Sequence, residues 1–495
     1  GMADIPQAQK QEPVSVNLSK DGHILLYGSP GTGKTTFLQS AAMDLARKFS
    51  PKDVTLYLMD FGTNGLAPLG QLPQVADTLL LDQTEKIAKF VRIMERELNR
   101  RKKLLSDYGV GTLELYRQAS GQQEPAIVIL LDSYESMKEE AYEAELFKLL
   151  VRISREGLSI GVHLLVTAGR QSNLRAQFYA NFKHQLSLPQ NDVSEVRSIV
   201  GSTPLAMTME DIKGRALMKR DEVDVIQLAL PVAGANDAQV LNNLRQEVVS
   251  LQEAWTGQRP SAIPMVPEEL TIDGFMNLPT TKEAIENDEL PIGVELEEVK
   301  TVGLPVNKLR HILVLSDKEI SINSVTNHMI NILIHSVSKD KITIFDPVDD
   351  YSQYSDEVRY FAGYETNIRT VLDELKEQII LARKCRKVFD HYILITEMNQ
   401  FVAQSSLEPN ELALLMEEGQ RVGLHFIFVS HKTFITSYTD IPKYMRMHID
   451  TAVIAMRMSD QTIYTRSQTG KEENLPADQV YLQYQGSQIQ LKITR

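Results

Sequence analysis

The feature that most constrains the fold is the glycine-rich segment that begins at residue 28. Residues 28–35 read GSPGTGKT and complete the pattern G-x-x-x-x-G-K-[ST]. A short apolar run at residues 23–27 precedes the segment, and residues 35–48 have the pattern of a helix. A loop in this setting wraps its backbone N–H groups around phosphates at the start of a helix, whose dipole adds positive charge. The segment therefore predicts a nucleotide-binding α/β domain.

The motif also predicts which residues contact the nucleotide. Lys34 is expected to reach the β- and γ-phosphates of ATP, and Thr35 is expected to ligate Mg²⁺. A glycine-rich turn without a chemical role is the alternative, and the strand and helix that flank the loop argue against it. The predicted nucleotide-binding residues are Gly28, Ser29, Pro30, Gly31, Thr32, Gly33, Lys34, Thr35 and Thr36.

A second element of the predicted site is Asp132, which ends the apolar run of residues 127–131. An acid at this place holds Mg²⁺ through water in P-loop enzymes. Hydrolysis usually also needs a carboxylate directly after this acid, and the chain has Ser133 there. Glu135 substitutes only if the backbone turns it inward. We therefore expect Mg-ATP binding with slow hydrolysis, and Lys34, Asp132 and Glu135 are the catalytic candidates in this loop region.

The rest of the chain alternates short apolar runs with longer amphipathic stretches. Strands that are apolar throughout and alternate with helices predict a mainly parallel sheet covered by helices on both faces. After a predicted helix at residues 236–255, a stretch rich in proline and turn residues marks a domain boundary. Gly1-Met2 resembles the remnant of a cleaved tag. The predicted organisation is a flexible lead-in at 1–13, a first domain at 14–258, a linker at 259–266 and a second domain at 267–495.

The second domain repeats the plan of the first. Residues 311–315 mirror the strand at 23–27, and the clearest repeat is GLHFIF at 423–428 against GVHLLV at 161–166. Similar pairs recur in the same order along the chain, which chance does not explain. The sequence therefore predicts two large tandem domains.

The second copy lacks the phosphate-binding sequence. Residues 316–323 contain no glycine, and Ile322 stands where the first copy has its lysine. Thr396 replaces the Mg²⁺-binding acid, with Glu397 next to it. The fold is expected to be kept and conventional nucleotide chemistry to be lost, while a residual nucleotide site stays an open alternative.

The charge balance bears on the class of partner. The 65 acidic and 52 basic residues leave a net charge of −13, which argues against general nucleic-acid binding, because such binding relies on lysine and arginine. A local basic patch is compatible with this balance. The basic run Arg100–Lys103 is a candidate for such a patch, but its predicted helix carries acids as well, and a solvated helix face is the favoured interpretation.

For the single cysteine and for two histidines in apolar runs, the sequence favours structural roles over chemical ones. The single cysteine, Cys385, excludes a disulfide within one chain. His163 and His425 lie in apolar runs without a second ligand at metal-binding spacing, so buried structural histidines are expected. No apolar run approaches the roughly 20 residues of a membrane helix.

Residues 162–170, VHLLVTAGR, resemble a stretch of the FtsK/SpoIIIE family of ring-forming motor ATPases, and the resemblance extends over nearly all residues from Pro13 onward. It implies two tandem RecA/FtsK-like P-loop NTPase domains. Where the family carries a sensor Thr-Gln pair, this chain has Ala168-Gly169, which again favours slow hydrolysis. Arg170 or Arg155 is a candidate arginine finger toward a neighbouring subunit, and an ordinary ion pair is the alternative.

A tandem array with a degenerate last copy is similar to the family members that drive type VII secretion. This resemblance implies ATP and Mg²⁺ as cofactors and a longer, membrane-anchored protein that acts on the cytoplasmic side of the bacterial membrane. It implies as partners small secreted helical-hairpin proteins with a C-terminal signal, and other ATPase domains in a homo-oligomer, expected to be a hexamer. Nucleic acid is not an expected partner. A DNA-translocating motor and a non-hydrolysing, ATP-dependent scaffold are the alternatives.

Overall fold

The computed structural model describes residues 1–5, 9–220, 222–363, 367–466, 472 and 474–495. The chain divides into two compact units, Gly1–Ile263 and Pro264–Arg495. The division lies inside the stretch that the sequence marks as a linker. We describe each unit by itself, as the first and the second domain.

The first domain contains ten strands and eight α-helices in its described part. The strands are β1 (Met2–Ile5), β2 (Lys10–Pro13), β3 (Ile24–Tyr27), β4 (Val54–Asp60), β5 (Val75–Leu80), β6 (Ala126–Asp132), β7 (Val162–Ala168), β8 (His184–Ser187), β9 (Arg215–Lys219) and β10 (Val223–Gln227). The helices are α1 (Leu18–Asp21), α2 (Lys34–Lys48), α3 (Thr84–Asp107), α4 (Leu113–Ser120), α5 (Glu143–Ile160), α6 (Ala176–Tyr179), α7 (Val193–Val200) and α8 (Asp237–Ala254).

The second domain also contains ten strands among its described residues. They are β11 (Glu289–Glu295), β12 (Thr301–Pro305), β13 (His311–Ser316), β14 (Ile342–Asp346), β15 (Arg359–Ala362), β16 (His391–Ile395), β17 (Leu424–His431), β18 (Thr451–Ile454), β19 (Gln479–Tyr484) and β20 (Ser487–Lys492). The helices are α9 (Ile272–Met276), α10 (Pro279–Glu286), α11 (Glu319–Ser336), α12 (Ile368–Cys385), α13 (Met398–Ser405), α14 (Pro409–Ala413), α15 (Gly419–Arg421), α16 (Lys432–Ile435) and α17 (Asp440–His448).

The two sheets have the same topology, strand for strand. The first sheet runs β2-β1-β10-β9-β8-β3-β7-β6-β4-β5, and the second runs β12-β11-β20-β19-β18-β13-β17-β16-β14-β15. In each sheet the six strands from β8 to β5, or from β18 to β15, are parallel, and the other four pair antiparallel. The prediction of two tandem α/β domains is confirmed.

Helices cover both faces of the second sheet, as the alternation of side chains along β13 demonstrates. Ile312 and Val314 pack in one core cluster with residues of α11, whereas Leu313 and Leu315 pack in another cluster with residues of α12. Successive side chains of a strand point to opposite faces, so a strand that is apolar throughout needs a helix on each side. Within the described residues no helix is long and apolar enough to span a membrane.

The expectation of a flexible lead-in at residues 1–13 is wrong for the described part of that segment. β1 pairs with β10 and β2 pairs with β1, both antiparallel, and Ala3 is fully buried. These strands are short: β2 pairs with β1, and β1 in turn pairs with β10, which lies more than two hundred residues away along the chain. Their local sequence therefore carries little strand signal.

The prediction of a solvated helix face holds for Arg100, Lys102 and Lys103 of the basic run on α3, which are exposed, but not for Arg101. Arg101 is only 1% exposed, and its guanidinium donates hydrogen bonds to the carbonyls of Ile160 and Pro125 at 3.0 and 2.8 Å. Arg100 and Lys102 form ion pairs with Glu97 and Glu156, respectively. Most of the positive charge in this run is therefore used inside the domain, and the run offers little free charge to a polyanion.

Several histidines are buried, as the sequence predicts for His163 and His425. Burial lowers the pKa of His23 to about 4 and that of His163 to about 3 in the first domain. In the second domain, burial lowers the pKa of both His311 and His328 to about 4. These side chains are therefore neutral in the folded protein at neutral pH.

This burial predicts a loss of stability in mild acid. The unfolded chain takes up protons on these histidines below about pH 6.5, whereas the folded chain takes them up only near the lowered pKa. The stability that comes from keeping these histidines neutral is thus complete above pH 6.5, and it declines as the pH falls toward 4. For His328 alone, the free energy of unfolding should fall by on the order of 2 kcal/mol between pH 7.5 and 5.

Urea denaturation followed by circular dichroism at both pH values measures this effect. The comparison is with His328→Gln, which cannot protonate and should depend less steeply on pH. Equal pH dependence in the two proteins would contradict the assignment.

Candidate functional site

The glycine-rich loop connects β3 to α2 and has the backbone that a phosphate cradle needs. Gly31 and Gly33 have φ values of 82° and 110°, in a region that residues with a Cβ atom rarely adopt. A Cβ on Gly33 would also meet the backbone of Gly214 at 3.4 Å. The loop therefore depends on glycine at both places, and α2 begins only at Lys34.

Contacts on either side fix the position of the loop. The N–H of Gly28 donates to the carbonyl of Ala168 at 3.1 Å, and the carbonyl of Thr32 accepts from the N–H of Gly214 at 2.9 Å. The N–H groups of Gly31 and Gly33, in contrast, donate to no protein acceptor in the described part of the chain. Free backbone donors held in place at a helix start fit an anionic phosphate.

Lys34 lies over this loop. Its ammonium group donates to the carbonyl oxygens of Gly28 and Ser29 at 2.6 and 3.1 Å. Burial lowers the pKa of Lys34, while the nearby carboxylates of Glu135 and Asp132 act in the opposite direction. The ammonium group is therefore held against the loop, beside the free N–H groups that would contact a phosphate, as expected for a lysine that binds the β- and γ-phosphates.

The predicted metal-binding residues Thr35 and Asp132 lie in direct contact. The Thr35 hydroxyl donates to one oxygen of the Asp132 carboxylate at 2.7 Å, and the Thr167 hydroxyl donates to the other at 2.5 Å. Thr167 in turn accepts from the N–H of Ser133 at 2.9 Å. A hydroxyl and a carboxylate beside a phosphate cradle are the oxygen ligands that Mg²⁺ prefers, so these residues fit the cofactor.

The sequence analysis did not identify Asp60 as a site residue. It ends β4 directly beside Asp132, which ends β6, and it is 2% exposed. Burial raises the pKa of Asp60, and the charge of Asp132 adds to the rise. One sequence signal could have identified Asp60: the equivalent strand ends in an acid in both copies, Asp60 in the first and Asp346 in the second.

Glu135 reaches the same site by a local change of backbone direction. Ser133 has a left-handed backbone with φ of 60°, and one turn of 3-10 helix follows, Tyr134–Met137. The Glu135 carboxylate lines the cavity beside the loop and accepts from the N–H of Gly169 at 3.0 and 3.1 Å. The carboxylate therefore faces the cavity that Lys34 and Asp132 also line, and the hydrogen bond from Gly169 fixes its orientation.

The candidate arginine fingers lie elsewhere. Arg170 is exposed just after the carboxyl end of β7, and Arg155 is exposed on α5. Neither belongs to the described residues that line the cavity. Within one chain they therefore do not reach the loop.

The cavity beside the loop has a volume of about 660 Å³ and two chemically different parts. The polar part contains Lys34, Asp132 and Glu135. The opposite wall is largely apolar and comes from the start of α2, the segment after β10 and the start of α8. Its apolar residues are Phe37, Leu228, Leu230, Val240 and Leu241. A polar phosphate end and an apolar wall suit a nucleotide, whose base has an apolar face.

In the second domain the corresponding cradle is closed. Strand pairing gives the alignment of the two copies. Ile312 pairs with Ile427, and Ile24 pairs with Leu165, which is the residue equivalent to Ile427 in the first copy. Ile312 therefore corresponds to Ile24. On this register residues 319–321 correspond to 31–33, yet they form the first turn of α11. The N–H of Ile322, which stands in the place of Lys34, donates to the carbonyl of Lys318 at 3.0 Å. A helical turn thus stands where the first domain has its left-handed glycine loop, and the donor in the place of the Lys34 N–H is used within the helix.

Tyrosines satisfy the polar groups around the place of the metal. The buried carboxylate of Asp346 accepts from the hydroxyl groups of Tyr360 and Thr396 at 2.6 and 2.7 Å. The hydroxyl of Tyr351 donates at 2.9 Å to Asn323, which corresponds to Thr35. The side-chain oxygen atoms of Asp346 and Asn323, which could otherwise bind a metal, thus accept hydrogen bonds from protein hydroxyl groups.

This closure predicts that restoring two side chains does not restore a site. The double variant Ile322→Lys/Asn323→Thr recreates the Lys-Thr pair on α11, but the first turn of that helix still fills the cradle. In a chain that also carries Lys34→Ala, we expect calorimetry to detect no ATP binding. Measurable binding there would contradict the closed cradle.

Comparison with known proteins agrees with this geometry. Residues 1–207 match the model of the FtsK/SpoIIIE family. Over 97% of its length the chain is 30% identical to the type VII secretion system protein EssC of Staphylococcus aureus strain MSSA476. The chain covers 32% of that relative, so it spans about a third of its length.

Two solved structures have the same fold. The structure of EssC ATPases 2 and 3 from Geobacillus thermodenitrificans superposes with a TM-score of 0.89 at 25% identity and covers 100% of this chain, which covers 95% of it. Thermomonospora curvata EccC (ATPases 2 and 3), in complex with a signal sequence peptide, has a TM-score of 0.59 at 20% identity. That comparison covers 100% of this chain and 92% of the other.

Proposed function

The first domain of this chain belongs to the FtsK/SpoIIIE family, and from that premise we propose that the chain is the ATP-binding part of a type VII secretion motor. The first domain binds Mg-ATP and hydrolyses it slowly, and the second binds substrate or partner. The observation that carries the proposal is the contrast between the two cradles. Gly31 and Gly33 hold a left-handed loop ahead of α2, and the N–H of Lys34 donates to no protein acceptor in the described part of the chain. The corresponding residues 319–321 are helical instead, and the N–H of Ile322, in the place of Lys34, donates to the carbonyl of Lys318.

In this proposal each residue of the loop region has a distinct role. Mg²⁺, when bound, supplies positive charge to the β- and γ-phosphates. Thr35 and Asp132 hold it, and Lys34 holds the phosphates. Thr167 positions Asp132 through the hydrogen bond between their side chains. The apolar wall between α2 and α8 receives the base.

Slow hydrolysis follows from the groups that are missing or occupied near the phosphate. Ser133 stands where a carboxylate would orient water, and Glu135 is tied to the N–H of Gly169. We propose that Glu135 acts as the water-orienting residue only after that hydrogen bond breaks. Arg170, exposed at the same end of the sheet, is the proposed finger toward another ATPase domain, with Arg155 as the alternative.

The ATP site is tested by Lys34→Ala, with Ile322→Ala as its matched control. Loss of the ammonium group removes the charge that holds the phosphates, and we expect at least about a hundredfold weaker Mg-ATP binding in calorimetry, or on the order of 3 kcal/mol. Ile322→Ala occupies the corresponding position of the second domain and should leave the affinity unchanged. Unchanged affinity in Lys34→Ala would falsify the site assignment.

We propose that the second domain binds the signal sequence of a secreted protein, because a structure of T. curvata EccC (ATPases 2 and 3) is a complex with a signal sequence peptide and the second domain here lacks the nucleotide loop. A cavity of about 190 Å³ lies between β14–β16 and α12. Its apolar walls include Phe361, Leu375 and Phe389. The corresponding place in the first domain holds the ring of Tyr57, which packs on Phe90 at 5.1 Å.

In the first domain, the surface that corresponds to the one next to this cavity is covered by a segment of the same chain. There, residues after α8 lie against β5, where Arg259 donates to the carbonyl of Leu72 at 2.8 Å and the N–H of Ile263 donates to Asp77 at 3.0 Å. Arg359 corresponds to Asp77 by strand register. An extended segment therefore already binds the first domain at this edge, and a signal sequence is proposed to do so on the second.

The cavity is tested by Thr343→Tyr. Thr343 corresponds to Tyr57, so the new ring fills the cavity as the tyrosine does in the first domain. We expect at least about tenfold weaker binding of a fluorescent peptide with the C-terminal signal of a helical-hairpin substrate. Thr343→Ser keeps the cavity and is the control. Equal affinity in all three proteins would place the signal elsewhere.

The remaining proposals rest on the same similarity. The relatives act in a secretion system, and we propose that the full protein works at the cytoplasmic side of the bacterial membrane as a hexamer with its other ATPase domains. DNA pumping gains no support from the basic run on α3, because Arg101 is buried and Arg100 and Lys102 are ion-paired.

A further inference from the structure

The two domains differ at the amino end of their parallel strands. In the first domain residues 108–125 connect α3 to β6 and contain the helix α4. In the second domain residues 386–390 connect α12 to β16 directly. The second domain therefore has no counterpart of α4 in this connection.

In the first domain α4 covers this end of the sheet. Leu113, 6% exposed, packs on Gly161, where an added Cβ would meet its side chain at 2.2 Å. Tyr116 is also buried. Arg117 donates to the carbonyl of Asp53 at 3.4 Å. A helix of two turns thus seals the ends of β4, β6 and β7.

In the second domain the same place is an open cleft. Val388 takes the position of Leu113, since a Cβ on Gly423 would meet its side chain at 2.8 Å, but Val388 is 67% exposed. A cavity of about 600 Å³ lies beside it, also lined by Lys341, Tyr392 and His425. The stacked rings of Tyr392 and His425, with centroids 5.0 Å apart, are both buried. We call this cavity and Val388 the α4-type cleft.

The end of α12 next to Val388 is positively charged, whereas the cavity itself is lined by the acids Asp288, Glu289 and Asp390 together with Lys341 and Arg421. Lys384, Arg386 and Lys387 are exposed around the end of α12, and none of them has an ion-pair partner among the described residues. This group stands out in a chain with a net charge of −13. A partner that lies over the margin gains by carrying acidic residues on the side that faces it.

We propose that the α4-type cleft binds an acidic amphipathic helix of about two turns from a partner protein. The helix packs its apolar residues on Val388 and Gly423, as α4 packs on Gly161, and directs its acids at the three free cations. This site lies beyond the proposed function. Its lining shares no residue with the ATP cavity or with the small cavity under α12.

The chain contains its own reporter for this site. Cys385 is its single cysteine, is exposed and ends α12 at the margin of the cleft, so an environment-sensitive fluorophore attaches there without mutation. The probe is a peptide of residues 112–121 with Arg117→Glu and Gln118→Glu, held helical by a staple because so short a helix is unstable alone. A second peptide carries lysine at the same two positions.

We expect saturable binding of the acidic peptide that is at least about tenfold tighter than that of the lysine peptide at low salt. The difference should shrink at high salt, because screening weakens exposed charge pairs. Val388→Asp should abolish binding, and Lys384→Glu/Lys387→Glu should weaken only the acidic peptide. Ile320→Asp, at an equally exposed apolar residue on α11, should change nothing.

Three results would overturn the proposal: no saturable binding of the acidic peptide, equal binding of both peptides, or unchanged binding by Val388→Asp. A fluorescence change that depends on the concentration of the chain alone would assign the cleft to a second copy and would also overturn it. The Val388→Asp variant should still bind ATP and the signal peptide, so failure of this proposal is distinct from failure of the proposed function.

Discussion

The free N–H groups at the start of α2 are the constraint on which the rest of the first domain depends. They exist because Gly31 and Gly33 hold left-handed backbone and delay the helix until Lys34. In the second domain the helix starts at Glu319, and the N–H of Ile322, in the place of Lys34, bonds to the carbonyl of Lys318. A shift of one helical turn therefore separates a phosphate cradle from an ordinary helix start.

Closing the cradle changes what the neighbouring polar residues can do. In the first domain Thr35 and Asp132 contact each other at the edge of a cavity. In the second, Thr396 replaces the acid and donates to Asp346, which is fully buried. Buried polar groups need partners, so a site that loses its ligand must satisfy them from within. The second domain does this with hydroxyl groups, which leaves the sheet intact.

How much could be predicted from the sequence depends on how local each signal is. The loop at residues 28–35 and the apolar strands β4, β6 and β7 carry their signal within a few residues, and the fold class followed from them. The strands β1 and β2 did not, because β1 joins the sheet by pairing with distant β10 and β2 joins it through β1. Thr167 and Asp60 join the site only through the register of β7 and β4 beside β6. A single sequence does not give that register.

The internal repeat supplies a comparison that a single domain lacks. Because the sheets match strand for strand, each residue or connection of one copy can be compared with its equivalent in the other. At the carboxyl ends of the strands the second copy has filled its cavity with its own side chains. At the amino ends it lacks the helix α4, and Val388 stays exposed where Leu113 is covered. What sets Val388 apart from the other exposed apolar residues is the cavity beside it, at the place that α4 covers in the first copy. The two proposed binding surfaces of the second domain both lie at places where its side chains or connections differ from those of the first.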